Sequence, residues 1–364
     1  MRPSSRKRRP PTRPRARPPR GAGAQRPGAP GTGTGSFSAR STRAARVCGG
    51  WPRTCRRSTS RTGPCATTST APRTRWCAAT CATASTAGGW RLDVAVDIGF
   101  QFLDELTRAA HAEKPGSLVV GEIANYPKEW MPAVDGVMNF TLREIILRLA
   151  SGRMTVPLAQ KMIDRLVIEA GPGGLLKSWL MLDNHDTPRL ATALPDLQRR
   201  RLAQVMQFTL PGAPNLYYGS EVGMTGGEDP EMRAPMRWDL VQEGQPDLAW
   251  TKRLVALRKA HRALRIGDYR PVTAQKLLAF ERHTDRALDT VVIIANPGDV
   301  EVSETVLVGN SKLMNNWHMV SPDGSARVKI VTGLLDVTLP PGGVLVLKPE
   351  PSPGGGYSAY KRVQ

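Results

Sequence analysis

Cysteine is absent from the chain beyond Cys81, although five cysteines lie at or before that position. The rest of the chain therefore needs no disulfide bonds, which fits a reducing compartment and predicts a cytoplasmic protein. The early cysteines have no histidine near them and lack the paired spacing of a zinc site. No apolar run reaches the roughly 18 residues that a membrane-spanning helix requires, so we expect no membrane partner.

Acidic residues are absent from the first 88 residues, which also contain no Leu, Ile, Asn, Tyr or His. This segment holds 19 of the 51 Lys and Arg residues, so 32 basic residues face 31 acidic ones in the remainder. The net charge of +20 thus belongs almost wholly to this segment. Because it cannot bury enough apolar surface to offset its chain entropy, we predict a disordered basic arm over residues 1–88.

Three explanations for the basic arm remain open. A nucleic-acid-binding or membrane-surface tail would be rich in Arg, but aromatic residues are sparse here. A transit peptide would also be Arg-rich, but it would be shorter and amphipathic. We favour translation of GC-rich DNA in the wrong reading frame, because Arg, Ala, Pro, Gly, Thr and Ser are the residues that such codons give. Nucleic acid is therefore not an expected partner.

Three apolar segments each run directly into an acidic residue. They are GWRLDVAVDI, VVGEIA and LMLDNHDTPR, and they bring Asp93, Glu122 and Asp186 to the ends of three strands. A strand that is buried on both faces reads as a continuous apolar run, and the residues just past its carboxyl end lie where α/β barrels place their chemistry. The three carboxylates are therefore expected to meet at one edge of a parallel sheet.

The neighbours of these carboxylates support a catalytic interpretation. Arg91 lies two residues before Asp93, so both side chains point to one face of a strand, and the guanidinium favours an ionised carboxylate. The apolar run before Glu122 can desolvate its carboxyl group, as a general acid requires. Taken singly, each residue has a simpler reading: an N-cap or turn aspartate, a loop histidine at His185, or a surface ion pair at Arg91. The catalytic hypothesis depends on the occurrence of all these residues together in this order.

These three segments resemble conserved regions II, III and IV of the α-amylase family of glycoside hydrolases, in the family's order. The resemblance implies that Asp93 is the nucleophile, Glu122 the general acid and base, and Asp186 the stabiliser of the distorted sugar ring. It implies substrate contacts for Arg91, His185 and Arg189. It also implies a retaining mechanism, which needs two carboxyl groups about 5 to 5.5 Å apart.

A further stretch of the sequence resembles one particular group within this family. Residues Pro211–Asp239 are similar to the last barrel strand and following loop of the neopullulanase and cyclomaltodextrinase group, which implies cleavage of α-1,4 bonds in cyclodextrins, maltooligosaccharides or related α-glucans. Ser220 stands where that group usually has Asp. No cofactor is expected; a weak Ca²⁺ site is the one alternative, although the loop lacks the ligand spacing of a calcium loop. Four aromatic residues are candidates for stacking on sugar rings: Trp130, Tyr217, Tyr218 and Trp238.

The pattern of apolar, glycine and proline residues along the rest of the chain predicts the fold. Strands and helices alternate over residues 89–266, with a last strand expected at Asn215–Gly219 and a last helix at Trp250–Leu264, which predicts a partial (β/α)8 barrel. Residues 267–349 show period-two runs between Gly and Pro turns and predict a small antiparallel β-sandwich, followed by a flexible tail over 350–364.

Only five of the eight barrel strands have a counterpart in the sequence, and the family's region I has none. We therefore expect the chain as written to fold poorly and to be inactive. A non-catalytic carbohydrate-binding homologue is the alternative function, and a homodimer is left open.

Overall fold

The computed structural model describes residues 88–350. Nearly all of the predicted basic arm, and the predicted tail after Glu350, lie outside the described residues. In the described part no helix is both long and apolar enough to cross a membrane.

A five-stranded parallel sheet forms the first half of the described chain. Its strands pair in sequence order, each with the next, and every pair is parallel. All five carboxyl ends therefore lie along one edge of the sheet, as the pattern of apolar runs predicts. The strands are β1 (Gly89–Leu92), β2 (Leu118–Ile123), β3 (Gly136–Asn139), β4 (Trp179–Leu180) and β5 (Ala213–Pro214).

Eight α-helices accompany the strands in the described residues. The first buries Leu103, Leu106 and Ala110, which the 3.6-residue period places on one face. Polar side chains cap two others: Asn139 accepts a hydrogen bond from the Leu142 N–H (2.9 Å), and Asp196 accepts one from the Arg199 N–H (2.8 Å). The helices are α1 (Phe100–Glu113), α2 (Phe140–Ala150), α3 (Val156–Ala170), α4 (Pro172–Lys177), α5 (Leu190–Ala193), α6 (Leu197–Thr209), α7 (Pro246–Ala260) and α8 (Arg262–Ile266).

Two elements differ from the sequence prediction. The last parallel strand lies at Ala213–Pro214 and not at residues 215–219. Beyond it, Asn215 still donates its N–H to the Leu180 carbonyl oxygen of β4 (2.9 Å), and the rings of Tyr217 and Tyr218 pack against Arg189. The last helix is longer and divided: α7 begins at Pro246, and an extended residue at His261 separates it from α8. This break lets α8 bury Leu264 in the core.

Antiparallel strands form the second half of the described chain, in agreement with the predicted strand class. Six of them form one sheet in the order β11-β10-β13-β8-β7-β6, and β9 pairs with β12. Side chains of both sheets, including Ile294 and Val306, share one buried apolar cluster. The strands are β6 (Asp268–Pro271), β7 (Leu278–His283), β8 (Val291–Ala295), β9 (Val302–Leu307), β10 (His318–Val320), β11 (Arg327–Lys329), β12 (Leu334–Leu339) and β13 (Val344–Glu350).

The two halves share a core. Phe280 and Ile293 of the six-stranded sheet belong to the same buried cluster as Ile146 of α2. Arg282 is fully buried at this junction and donates hydrogen bonds to the carbonyl oxygens of Thr209 and Gly267, both at 2.7 Å. Its guanidinium thus ties the end of α6 to the start of the antiparallel region.

Candidate active site

Asp93 and Glu122 lie side by side at the carboxyl edge of the parallel sheet. Their strands are neighbours, with Arg91 opposite Val120 in the register. The Arg91 guanidinium contacts both carboxylates: it forms an ion pair with Asp93, and its Nη2 lies 2.8 Å from Glu122 Oε1. Both acids keep some exposure, since 36% of the Asp93 side chain and 13% of the Glu122 side chain are accessible. A substrate can therefore reach two carboxylates held by one cation.

The backbone after Asp93 turns sharply towards Glu122. Val94 has φ 45° and ψ 48°, a left-handed conformation that is a strained outlier for a β-branched residue. In this conformation its N–H donates a hydrogen bond of 2.9 Å to Glu122 Oε2. Glu122 therefore has two polar partners, Arg91 and Val94, in addition to the apolar strand that the sequence shows.

Asp186 lies in the loop that follows β4, on the same edge of the sheet. His185 Nε2 is 3.0 Å from its Oδ2, and Arg233 Nη2 is 2.6 Å from its Oδ1. The side chains of His185 and Asp186 are 40% and 43% exposed. No hydrogen bond or ion pair joins Asp186 to Asp93 or Glu122 within residues 88–350. The structure thus brings two of the predicted catalytic carboxylates into one cluster and places the third two strands away, beyond β3.

Among the three predicted substrate-contact residues, Arg189 is the one that is fully buried. The resemblance implies a substrate contact for this residue, but its side chain is 0% exposed. Its guanidinium carbon lies 4.5 Å and 4.6 Å from the ring centres of Tyr217 and Tyr218, and one nitrogen donates to the Tyr218 carbonyl oxygen. The contacts of Arg189 thus lie within the protein, and a substrate contact for this residue stays a prediction.

Sequence analysis missed Asp183 and Arg233. Asp183 is buried, and its Oδ2 accepts hydrogen bonds from Ser220 Oγ (2.6 Å) and the Leu190 N–H (2.8 Å). Burial raises the pKa of Asp183, and the Ser220 hydroxyl is the largest influence that opposes this rise. Its position directly after an apolar run was an available signal, because the same signal identified Asp93. Nothing in the sequence pairs Arg233 with Asp186.

Other features of the described part lie apart from the carboxylates. No group of three or more His, Cys, Asp or Glu side chains comes together as a metal site within residues 88–350. A cleft of about 540 Å³ lies between α3 and the turn that joins β6 to β7, lined in part by Ile168, Lys161 and Leu277, and none of the candidate catalytic residues lines it. Trp238, in the segment after β5, is 75% exposed.

Comparisons with known proteins agree with this geometry. Residues 83–245 match the α-amylase catalytic domain family. A cyclomaltodextrinase of Geobacillus thermopakistaniensis is 41% identical over 187 residues, which are 50% of this chain and 31% of the relative. Neopullulanase 2 of Thermoactinomyces vulgaris is 34% identical over 230 residues, which are 60% of this chain and 38% of the relative. Other matched relatives are maltogenic amylases, and one from Bacillus subtilis is named intracellular.

A solved cyclomaltodextrinase structure matches with a TM-score of 0.63 and 28% sequence identity, covering 72% of this chain and 45% of that chain. The class that the fold and site most resemble is the α-amylase family of glycoside hydrolases, whose catalytic-domain model matches residues 83–245. Within the family, the chain resembles the cyclomaltodextrinase, neopullulanase and maltogenic amylase group. The chain spans about a third of the length of the curated relatives it matches.

Proposed function

We propose that the site is the catalytic centre of a retaining glycoside hydrolase that cleaves α-1,4-glucosidic bonds. The observation that carries the proposal is the Arg91 guanidinium, which contacts the carboxylates of Asp93 and Glu122 together. Two carboxylates bound to one planar cation lie a few ångströms apart, which suits the roughly 5 to 5.5 Å separation of retaining enzymes better than the wider spacing of inverting ones.

The roles follow from the positions. Asp93 attacks the anomeric carbon and forms a covalent glycosyl intermediate, while Glu122 donates a proton to the leaving glycosidic oxygen. Glu122 then takes a proton from water, and the resulting hydroxide displaces Asp93 and restores the free enzyme. Asp186 and His185 are exposed on the same edge, where they are available to the sugar at the cleavage point. Arg91 holds the Asp93 carboxylate in place through their ion pair.

Cyclodextrins and short maltooligosaccharides are the proposed substrates. The support is the similarity to proteins named cyclomaltodextrinase and neopullulanase. Trp238 supplies an exposed aromatic face of the kind that stacks on sugar rings. The proposal extends to a cytoplasmic location, which the name of the intracellular Bacillus subtilis relative supports, and to the domain boundaries of 89–266 and 267–349.

Paired substitutions test the catalytic assignment. In a full-length protein with the upstream reading frame restored, Asp93→Asn and Glu122→Gln should each lower the rate of β-cyclodextrin hydrolysis by at least about a thousandfold, because each removes a group that takes part in bond breaking. Asp97→Asn and Glu129→Gln are matched controls, since both residues are exposed and lie close by in the sequence. Their rates should stay near that of the wild type. If Asp93→Asn or Glu122→Gln kept more than a tenth of the activity, the assignment would be wrong.

A non-catalytic carbohydrate-binding protein is the second candidate. It is favoured by the open parallel sheet of the described residues, in which β1 and β5 are both edge strands. A closed barrel holds catalytic groups in register, and an error of about 1 Å can cost about a hundredfold in rate. Calorimetric titration with β-cyclodextrin separates the two candidates. Binding without release of reducing ends, in the wild-type chain, indicates the second function.

A further inference from the structure

Two segments of the chain meet at the edge of the sheet that bears Asp186. The first, the acid loop, comprises residues 183–192, and the second, the cover segment, comprises residues 211–239. Backbone contacts join them in both directions. The Arg189 N–H donates to the Gly226 carbonyl oxygen (2.9 Å), and the Gly226 N–H donates to Thr192 Oγ1 (2.9 Å). The Asp186 carboxylate itself is held by Arg233 of the cover segment.

The Arg189 side chain supplies the buried part of this junction. It runs from the acid loop and packs against the rings of Tyr217 and Tyr218, and it donates a hydrogen bond to the Tyr218 carbonyl oxygen. Two of its nitrogens, Nε and Nη2, are buried without a hydrogen-bond partner among the described residues. A buried guanidinium is costly to desolvate, so the contacts that retain it must be geometrically well defined.

Ser220 closes the same junction from the other side. It lies in the cover segment, is 8% exposed, and donates its hydroxyl to buried Asp183 at 2.6 Å. Asp183 also accepts the Leu190 N–H, so its carboxylate links the first turn of α5 to the cover segment. The positive charge of Arg189 lies near enough to oppose the rise that burial causes in the pKa of Asp183.

We propose that Arg189 and Ser220 are positioning residues that clamp the cover segment onto the acid loop and so fix the place of Asp186 and of its partner Arg233. The proposal rests on the proposed function, in which Asp186 acts on the sugar. Neither residue needs to touch substrate. Tyr218 reinforces the clamp on the solvent side, because its hydroxyl donates to the Ala234 carbonyl oxygen at 2.7 Å.

The clamp predicts a local effect for substitutions at both ends. Arg189→Met keeps a long apolar side chain against the tyrosine rings but removes the charge and the donors. Ser220→Ala removes one hydroxyl and leaves Asp183 short of a donor. Arg189→Lys retains the charge and one donor without the planar fork, so its effect should be intermediate. Arg253→Met, at an exposed position of α7, is the matched control.

Hydrogen exchange measured by mass spectrometry on the full chain tests the clamp directly. Arg189→Met and Ser220→Ala should each speed exchange at least about tenfold in peptides that cover 183–192 and 217–237, and leave residues 268–350 unchanged. Arg253→Met should match the wild type throughout. Unchanged exchange in those peptides, equal acceleration across the chain, or a wild type with no protection there would each overturn the proposal.

Kinetics on β-cyclodextrin distinguish this proposal from the proposed function. If the wild type hydrolyses the substrate, Arg189→Met should lower kcat by about ten- to a hundredfold with a smaller change in KM, and Arg189→Lys should recover part of the loss. A wild-type kcat in Arg189→Met overturns the positioning role. If the wild type shows no hydrolysis, the proposed function fails, and the exchange result alone decides whether the clamp exists.

Discussion

Glu281 on β7 gives a pH dependence of stability that can be worked out from the structure. Its side chain is 0% exposed, and neither carboxylate oxygen has a hydrogen-bond donor of good geometry among the described residues. Its charged neighbours are Arg270, whose Nη1 lies 2.7 Å from Glu281 Oε1, and His283, whose Nε2 lies 3.9 Å from the same atom. Burial raises the pKa of Glu281 to about 7, although the charge of Arg270 opposes the rise.

A carboxyl group with a raised pKa in the folded state destabilises that state when it ionises. The folded state therefore keeps its full stability below pH 4.5, which is the pKa of this group in the unfolded chain. It loses stability as the pH rises through the folded-state pKa of about 7. Proton linkage predicts that Glu281 lowers the free energy of unfolding by about 1 kcal/mol at pH 5 and by about 3 kcal/mol at pH 8. Glutamine resembles the protonated acid and does not titrate. Glu281→Gln should therefore gain stability relative to the wild type by about 2 kcal/mol between pH 5 and pH 8.

Urea unfolding followed by circular dichroism at pH 5, 6, 7 and 8 measures this difference. His283 also affects the pH profile, since burial lowers its pKa and it lies 3.9 Å from Glu281, so the same comparison in a His283→Gln background removes its contribution. Glu301→Gln, at an exposed position of the same region, controls for the loss of a negative charge. A difference between Glu281→Gln and the wild type that stays constant within about 0.5 kcal/mol over this range would refute the reasoning.

Three further predictions concern a strand, a buried acid and the substrate. Gly136→Ala should lower the stability measured by thermal unfolding by about 1 to 3 kcal/mol, because the added Cβ would lie 2.8 Å from backbone atoms at the end of α4. The control Gly173→Ala has open space around the added Cβ and should be neutral or stabilising. Burial raises the pKa of Asp135, but hydrogen bonds from the Val119 N–H and His111 outweigh it, and the net pKa is lowered. Asp135→Asn should therefore destabilise the chain at pH 7, and urea midpoints should converge with those of the wild type as the pH falls below 3.8. Initial rates should be higher on β-cyclodextrin than on soluble starch; a clear preference for starch would point to an amylase of ordinary specificity.

Local pattern was sufficient to predict the framework of the site. Apolar runs that end in an acid identified β1 and β2, and the two-residue spacing of Arg91 and Asp93 predicted their ion pair. The helical period predicted α1 with its buried face. These features depend on residues close in sequence, whose relative positions are set by strand and helix geometry.

Contacts between distant segments were beyond the reach of the sequence. Arg189 is buried against two tyrosines that are distant in sequence, and these tyrosines lie within the residues 215–219 where a strand was expected. The polar surroundings of Glu122 depend on the left-handed conformation of Val94. The sequence does not predict this conformation, because β-branched residues rarely adopt it. Each of these features is set by tertiary contacts, which override the conformational preference of the local sequence.

The measurement that tests the central claim most directly is the site of covalent labelling by a fluorinated maltosyl fluoride, which a retaining enzyme converts to a slowly hydrolysed glycosyl ester. Intact-mass analysis after incubation should show one added fluorinated maltosyl group, with fluoride as the leaving group, and peptide mapping should place it on the carboxylate of Asp93. The label should be absent in Asp93→Asn and present in the control Asp97→Asn. A label on any other residue, or none on Asp93 under conditions in which β-cyclodextrin is hydrolysed or bound, would contradict the assignment of Asp93 and Glu122 as the catalytic pair.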